Sequence, residues 1–231
     1  MILSIETSTE VCSVALHKEG KLLAYSELFT EKAHSTALTL MIESLLKHSN
    51  IEMTDLKGVA LSEGPGSYTG LRVGISVAKG LCYALGIPLY AINTLLAMAH
   101  TARQTLLDEQ VLLCPMLDAR RMEVYTTLFD RELQTILPTQ ALVFNQAGEE
   151  LLLSKLPAPE TKILLLGNGA EKCKHASKSA NFIFLDHIYP TAKAIGNLFN
   201  GLQLQNVDVA YFEPYYLKPF QTQASLKSLQ T

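Results

Sequence analysis

The stretch over 62–81, SEGPGSYTGLRVGISVAKGL, constrains the fold more than any other part of the chain. It begins where Val59, Ala60 and Leu61 end an apolar strand, turns through Gly64-Pro65-Gly66 and enters small and β-branched residues at helical spacing. Glycine permits so tight a turn because it has no Cβ to exclude positive φ. Strand, glycine turn and helix therefore form one unit. Gly70, Gly74 and Ala78 stand four residues apart, so one stripe of the helix has almost no side chain and another backbone can come very close. That stripe is expected to be a contact surface. A turn feeding a helix also presents free N–H groups to an anion. However, Gly64, Gly66 and Gly70 do not make the dinucleotide fingerprint, and no Lys-Ser or Lys-Thr pair follows at phosphate-loop spacing.

With 48% hydrophobic and 18% charged residues among 231, the chain can bury one substantial core or two small lobes that share an interface. Its net charge is −3 and it has no lysine or arginine run, so it lacks the footprint of a protein that grips nucleic acid unaided. A polyanion partner would require another subunit. Cys12, Cys82, Cys114 and Cys173 are far apart, lie mostly in apolar segments and form no C-x-x-C pair, which reads as buried thiols in a reducing compartment. Ile2-Leu3-Ser4-Ile5-Glu6 follows the N-terminus with no basic leader, and no apolar run approaches the roughly 20 residues of a membrane span. A soluble cytoplasmic protein is expected.

β-type runs are expected over 2–7, 12–17 and 22–28, joined by Ser8-Thr9-Glu10 and Lys18-Glu19-Gly20-Lys21. Leu38, Met41, Ile42 and Leu45 recur at i, i+3, i+4 and i+7 and predict a helix over 35–48. The central helix should run to 85, where Gly86 and Pro88 stop it. A strand over 89–92 and a helix carrying Leu95, Met98, Ala99, Ala102 and Leu106, capped by Asn93 or Thr94, complete one lobe. The second half restarts with strands over 111–117 and 124–129, a short strand near Leu142, a helix near 149–155 and a strand over 163–166 ending in Gly167-Asn168-Gly169. A strand over 182–185 and a helix over 191–200 behind Pro190 follow. This order of elements echoes the first half without a strict repeat. Lobes are expected at 1–108 and 109–189, with the helix over 191–200 free to return to the first lobe, and a tail over 201–231. Glu213-Pro214-Tyr215-Tyr216-Leu217-Lys218-Pro219 should lie extended on a surface, and 221–231 should be disordered.

Among the histidines His17, His34, His48, His100, His175 and His187 no two stand three or four apart, so no helical metal pair is encoded. No G-x-S-x-G elbow marks a nucleophile either. Asp118, Arg120, Arg121 and Glu123 form the densest charged group at a turn, which is either ordinary solvation or an ion-pair or partner contact at the mouth of a cleft. Glu6-Thr7-Ser8 is open in the same way, because Thr and Ser favour turns on their own account.

Several segments jointly resemble the TsaB family, also called YeaZ. They are Ile5-Glu6-Thr7-Ser8, Gly64-Pro65-Gly66-Ser67-Tyr68-Thr69-Gly70-Leu71-Arg72-Val73-Gly74, Ala78-Lys79-Gly80-Leu81, Ile87-Pro88-Leu89 and Asp118-Ala119-Arg120-Arg121. Later matches are short: Gly167-Asn168-Gly169, Pro190-Thr191-Ala192 and Pro214-Tyr215-Tyr216-Leu217-Lys218-Pro219. The resemblance implies an α/β, two-lobed fold of the actin-like ATPase and sugar-kinase type. It also implies a non-catalytic scaffold in the complex that forms N6-threonylcarbamoyladenosine in tRNA next to the anticodon. The implied partners are the catalytic paralogue TsaD as a heterodimer, the ATPase TsaE through the complex, a second copy when the chain is alone, and tRNA only via the complex. The paralogue holds a metal with two histidines four apart, where this chain has Thr94 and Met98, and its glycine-rich Asp-Asn segment has no counterpart around 191–198. No catalytic residue, cofactor or metal is therefore expected. The implied partner surface comprises Leu38, Met41, Ile42 and Leu45 of one helix and Gly70, Arg72, Val73, Gly74, Val77, Ala78 and Leu81 of the other. The rival classes are an M22-like metallopeptidase, for which the zinc ligands are missing, and a small-molecule kinase, whose base could be Glu6 or Asp118.

Overall fold

The computed structural model describes residues 1–29, 34–106, 110–201 and 204–218. The chain opens with a three-stranded meander, β1 (Ile2–Glu6), β2 (Val11–Lys18) and β3 (Lys21–Phe29). Then come α1 (His34–His48), β4 (Gly58–Gly64), α2 (Tyr68–Leu85), β5 (Leu89–Asn93) and α3 (Thr94–Arg103). Each boundary has a local cause. Lys47 and His48 sit at the negative end of the α1 dipole, and Gly86 closes α2 in the left-handed conformation at φ 63°. The Asn93 side chain accepts the Leu95 and Leu96 N–H groups at 2.9 and 3.2 Å, capping α3.

The second half contains β6 (Val111–Asp118), β7 (Glu123–Phe129), β8 (Thr135–Val143), α4 (Gln146–Leu153), β9 (Lys162–Leu166), α5 (Asn168–Lys174) and β10 (Phe182–Leu185). It is followed by α6 (Ala192–Gly201) and the short β11 (Asn206–Val207). β8 spans nine residues where a short strand was expected, because it pairs along most of β7. α4 starts earlier than expected, where the Asn145 side chain accepts the Gly148 N–H at 3.0 Å. α5 and β11 have no counterpart in the periodicity, which is too short over 168–174 and 206–207 to signal either. The disorder expected over 221–231 concerns residues outside those described.

The strand orders are β11-β5-β4-β1-β2-β3 and β10-β9-β6-β7-β8. In each half the first strand pairs antiparallel with the second and parallel with the fourth: β1 with β2 and β4, β6 with β7 and β9. Counted within its own half, each sheet therefore reads 3-2-1-4-5, and the coarse echo in element order is a duplication of topology. This is a two-lobed α/β arrangement with one mixed sheet in each lobe.

α1 and α2 cover one face of the first sheet, where Leu38, Ile42, Leu45, Ile75 and Ala78 meet Leu3, Ile5, Val14 and Leu16 in one cluster. α6 packs on the opposite face, against β1 and β2. α3 lies between the lobes: Leu95, Met98, Ala99 and Ala102 pack with Leu113, Leu117, Leu164 and Leu166, while Ala97 packs with Ala60, Ile92 and Ile195. Full burial of each such leucine contributes about 1.5–3 kcal/mol, so α3 is the apolar joint of the molecule.

Candidate functional site

A cleft of about 1140 Å³ opens between the lobes. Its walls are the β1–β2 turn at Ser8, Thr9 and Glu10, the glycine turn and first turn of α2, the β6–β7 turn at Asp118 to Arg121, and the tail segment Tyr215 to Lys218. The glycine turn sits directly on the β1–β2 turn. The Ser67 N–H donates to the Ser8 carbonyl at 2.6 Å, and a Cβ on Gly66 would lie 2.4 Å from that same oxygen.

The glycine stripe faces inward, which corrects its expected role. Thr7 Oγ1 donates to the Gly70 carbonyl at 2.8 Å, and a Cβ on Gly74 would lie 2.3 Å from the same hydroxyl. Gly70, Gly74 and Ala78 are all buried, so the close approach is made by this chain's own first hairpin. Leu38, Ile42 and Leu45 are likewise core residues of α1 and are unavailable to a partner. Of the surface expected from sequence, Met41, Val73, Val77 and Leu81 remain half-buried beside the core, and Arg72 is exposed. The outer face of the two helices also presents Leu40, 63% exposed, and Tyr83, 88% exposed, neither of which the spacing of the core stripe could identify. A Cβ on Gly80 of the same face would meet nothing within 4 Å.

Glu6 is fully buried at the end of β1, with the Ser8 N–H donating to its Oε1 at 2.5 Å. Burial pushes its carboxyl above the ordinary value, and hydrogen bonds from Ser8 and Ser62 oppose that only in part. A carboxyl so enclosed does not reach a ligand in the cleft. Asp118 is engaged by Lys172 in an ion pair and by the Arg120 N–H at 2.8 Å. Glu123 pairs with Lys218 of the tail. The charged turn thus lies at the cleft mouth with both carboxylates committed within the chain. The sequence does not mark Lys172, and it marks Lys218 only as part of the extended segment over 213–219, because no spacing rule links residues 54 and 95 positions from their partners.

Thr94 and Met98 are both 0% exposed. The Met98 methyl packs so close to Gly167 that a Cβ there would lie 2.3 Å from it. Among the described residues no group of three His, Cys, Asp or Glu side chains could hold a metal ion. The four cysteines are buried, and burial is the largest cause raising their thiols, Cys114 to about 12 and Cys12, Cys82 and Cys173 to about 11. None has the electropositive, accessible surroundings of a reactive thiolate.

Comparison with known proteins agrees with this geometry. The family model TsaD, described as tRNA N6-adenosine threonylcarbamoyltransferase, matches residues 28–213. The tRNA threonylcarbamoyladenosine biosynthesis protein TsaB of Escherichia coli strain K12 is 37% identical over 224 residues, covering 94% of this chain and 94% of that protein. The protein of the same name from Buchnera aphidicola subsp. Schizaphis graminum is 32% identical over 195 residues, covering 84% and 90%. Among solved structures, YeaZ from Pseudomonas aeruginosa superposes with a TM-score of 0.78 at 25% identity, over 94% of this chain and 99% of that one. A second structure of this kind is described as an uncharacterized protein with similarity to peptidase YEAZ from Pseudomonas aeruginosa.

Proposed function

Because this chain belongs to the TsaB family and takes part in tRNA threonylcarbamoyladenosine biosynthesis, we propose that it acts there as a non-catalytic, activating subunit of a tRNA-modifying complex. In this reading it pairs with the catalytic paralogue TsaD, and the ATPase TsaE joins through the complex. Alone, the chain pairs with a second copy. It reaches tRNA only as part of the assembly, in keeping with its charge of −3. The assembly works in the cytoplasm, and no helix among the described residues is long and apolar enough to cross a membrane.

The observation that carries this reading is the packing of α3. The positions that the resemblance matches to the paralogue's two metal-binding histidines hold Thr94 and Met98, and both side chains are buried in the joint between the lobes. A hydroxyl and a thioether at that spacing are poor ligands for a hard or borderline cation, and here they serve packing. The partner surface is the outer face of α1 and α2, centred on Met41, Val73, Val77 and Leu81 with Leu40 and Tyr83 at its exposed edge. An apolar helical face left open beside a complete core is the kind of surface that a second protein covers.

Reconstitution tests the reading. Purified chain, TsaD, TsaE and tRNA, supplied with ATP and an activated threonylcarbamoyl donor, should together form N6-threonylcarbamoyladenosine, and omission of this chain should abolish it. Modified tRNA in its absence, or ATP turnover by the lone chain, would remove the accessory role.

A further inference from the structure

The segment after β11 turns back along α2 and ends on the other lobe. Lys79 Nζ donates to the carbonyls of Ala210 and Phe212 at 2.9 and 3.2 Å. The Tyr215 N–H donates to the Glu63 carbonyl at 2.7 Å, and the Tyr215 carbonyl roofs the glycine turn, where a Cβ on Gly64 would lie 2.7 Å from it. The Tyr216 ring stacks on Tyr68 with centroids 5.0 Å apart, and its hydroxyl accepts the Arg72 Nε–H at 3.0 Å. The Arg72 guanidinium in turn lies 4.1 Å over the Tyr68 ring. All of these anchors belong to the first lobe. Lys218 then crosses the cleft mouth, pairs with Glu123 of β7 and lies 5.9 Å from the Tyr125 ring.

We propose that residues 210–218 form a strap that sets the angle between the two lobes, with the Lys218–Glu123 pair as its fastening on the second. A lone ion pair at a surface does little, because ordering two long side chains offsets much of the attraction. Here the lysine arrives on a segment already pinned to α2 and the glycine turn, so its effective concentration at Glu123 is high and little further ordering is required. The side chains of the pair are 31% and 25% exposed, which also limits screening by salt. The lobes share the apolar joint at α3, about which a two-lobed body can hinge, and the strap is a second, separate link between them across the cleft mouth. The strap therefore holds the lone chain at the lobe angle seen here with no ligand needed. The inference concerns the isolated chain and does not depend on the identity of its partner.

Hydrogen exchange tests it on the intact protein. Lys218→Met and Glu123→Gln each unfasten the strap from one side and leave α3 untouched. Each should raise amide exchange at 8–10, 66–70 and 118–121 by the same factor, about fivefold for loss of one well-placed pair. The double variant should add nothing further, and small-angle scattering should show a larger radius of gyration for all three. Denaturant midpoints establish that the variants remain folded. Tyr216→Ala, which frees the strap from the first lobe, should produce the same pattern. Unchanged exchange at the cleft in the single variants, or additive effects in the double, would overturn the proposal. So would a rise confined to the β6–β7 turn in Glu123→Gln.

Discussion

Thr7 and Gly70 are locked together: the Thr7 hydroxyl donates to the Gly70 carbonyl at 2.8 Å, and the Thr7 carbonyl lies where a Cβ on Gly70 would come within 2.0 Å. This contact welds α2 to the first hairpin and explains why the helix carries glycine on that side. It predicts a graded series. Gly70→Ala forces backbone apart and should cost at least about 1–3 kcal/mol, and Gly74→Ala, which meets the Thr7 hydroxyl, should cost within that same range. Gly80→Ala has open space and should stabilise by roughly 0.5–1 kcal/mol through helix propensity. Urea denaturation of the three variants checks the order, and equal destabilisation by Gly80→Ala and Gly74→Ala would contradict the packing.

The same geometry separates folding from association. Gly74→Arg should fail to fold, since Thr7 occupies the space its side chain needs. Gly80→Arg should fold with a midpoint at or above the parent's, again through helix propensity, and weaken pairing, both with TsaD and with a second copy, because it sets a charge on the proposed apolar contact. Light scattering behind size exclusion, with each variant alone and mixed with TsaD, reads both effects. Normal pairing by Gly80→Arg would move the interface elsewhere.

Glu6 makes stability depend on pH in a definite direction. Its folded carboxyl binds protons more tightly than in the unfolded chain, since burial raises it. Its contribution is therefore fully present below the unfolded carboxylate value of about 4.3 and is lost as pH rises toward the folded value. Glu6→Gln removes that loss. The variant should match the parent in acid and exceed it at neutral pH, the parent's slope across the window approaching about 1.4 kcal/mol per pH unit at most. Denaturation curves from pH 4 to 8 decide the matter, and parallel profiles for the two proteins would show that Glu6 is ionised without cost.

The cysteines should be silent in the native state. With thiols raised to about 11 and 12 by burial, none should react with a thiol reagent at neutral pH until the chain unfolds, when all four should react together. Fast labelling of any one of them in the folded protein would show an opening near that residue.

Much of the local structure was legible from residue order alone. Period-3.6 spacing marked α1, apolar alternation and runs marked most strands, and Gly86 marked the end of α2, because each signal involves neighbours within a turn or a pleat. That Thr94 and Met98 stand where the paralogue has two histidines came from the resemblance and not from local order. What local order could not decide was direction. Gly70, Gly74 and Ala78 announce that something approaches closely, and any backbone of the right shape satisfies that signal. Only the sheet order, which sets β1 beside β4, decides that the visitor is Thr7, 63 residues earlier. The charged turn behaves in the same way. In sequence Asp118 and Glu123 are either a solvated turn or an ion-pair contact at a cleft mouth, and they become cleft-mouth anchors because folding delivers Lys172 and Lys218 from 54 and 95 residues away. Periodicity describes the neighbourhood of a residue along the chain, whereas these contacts join residues whose proximity is created by the packing of whole sheets and helices.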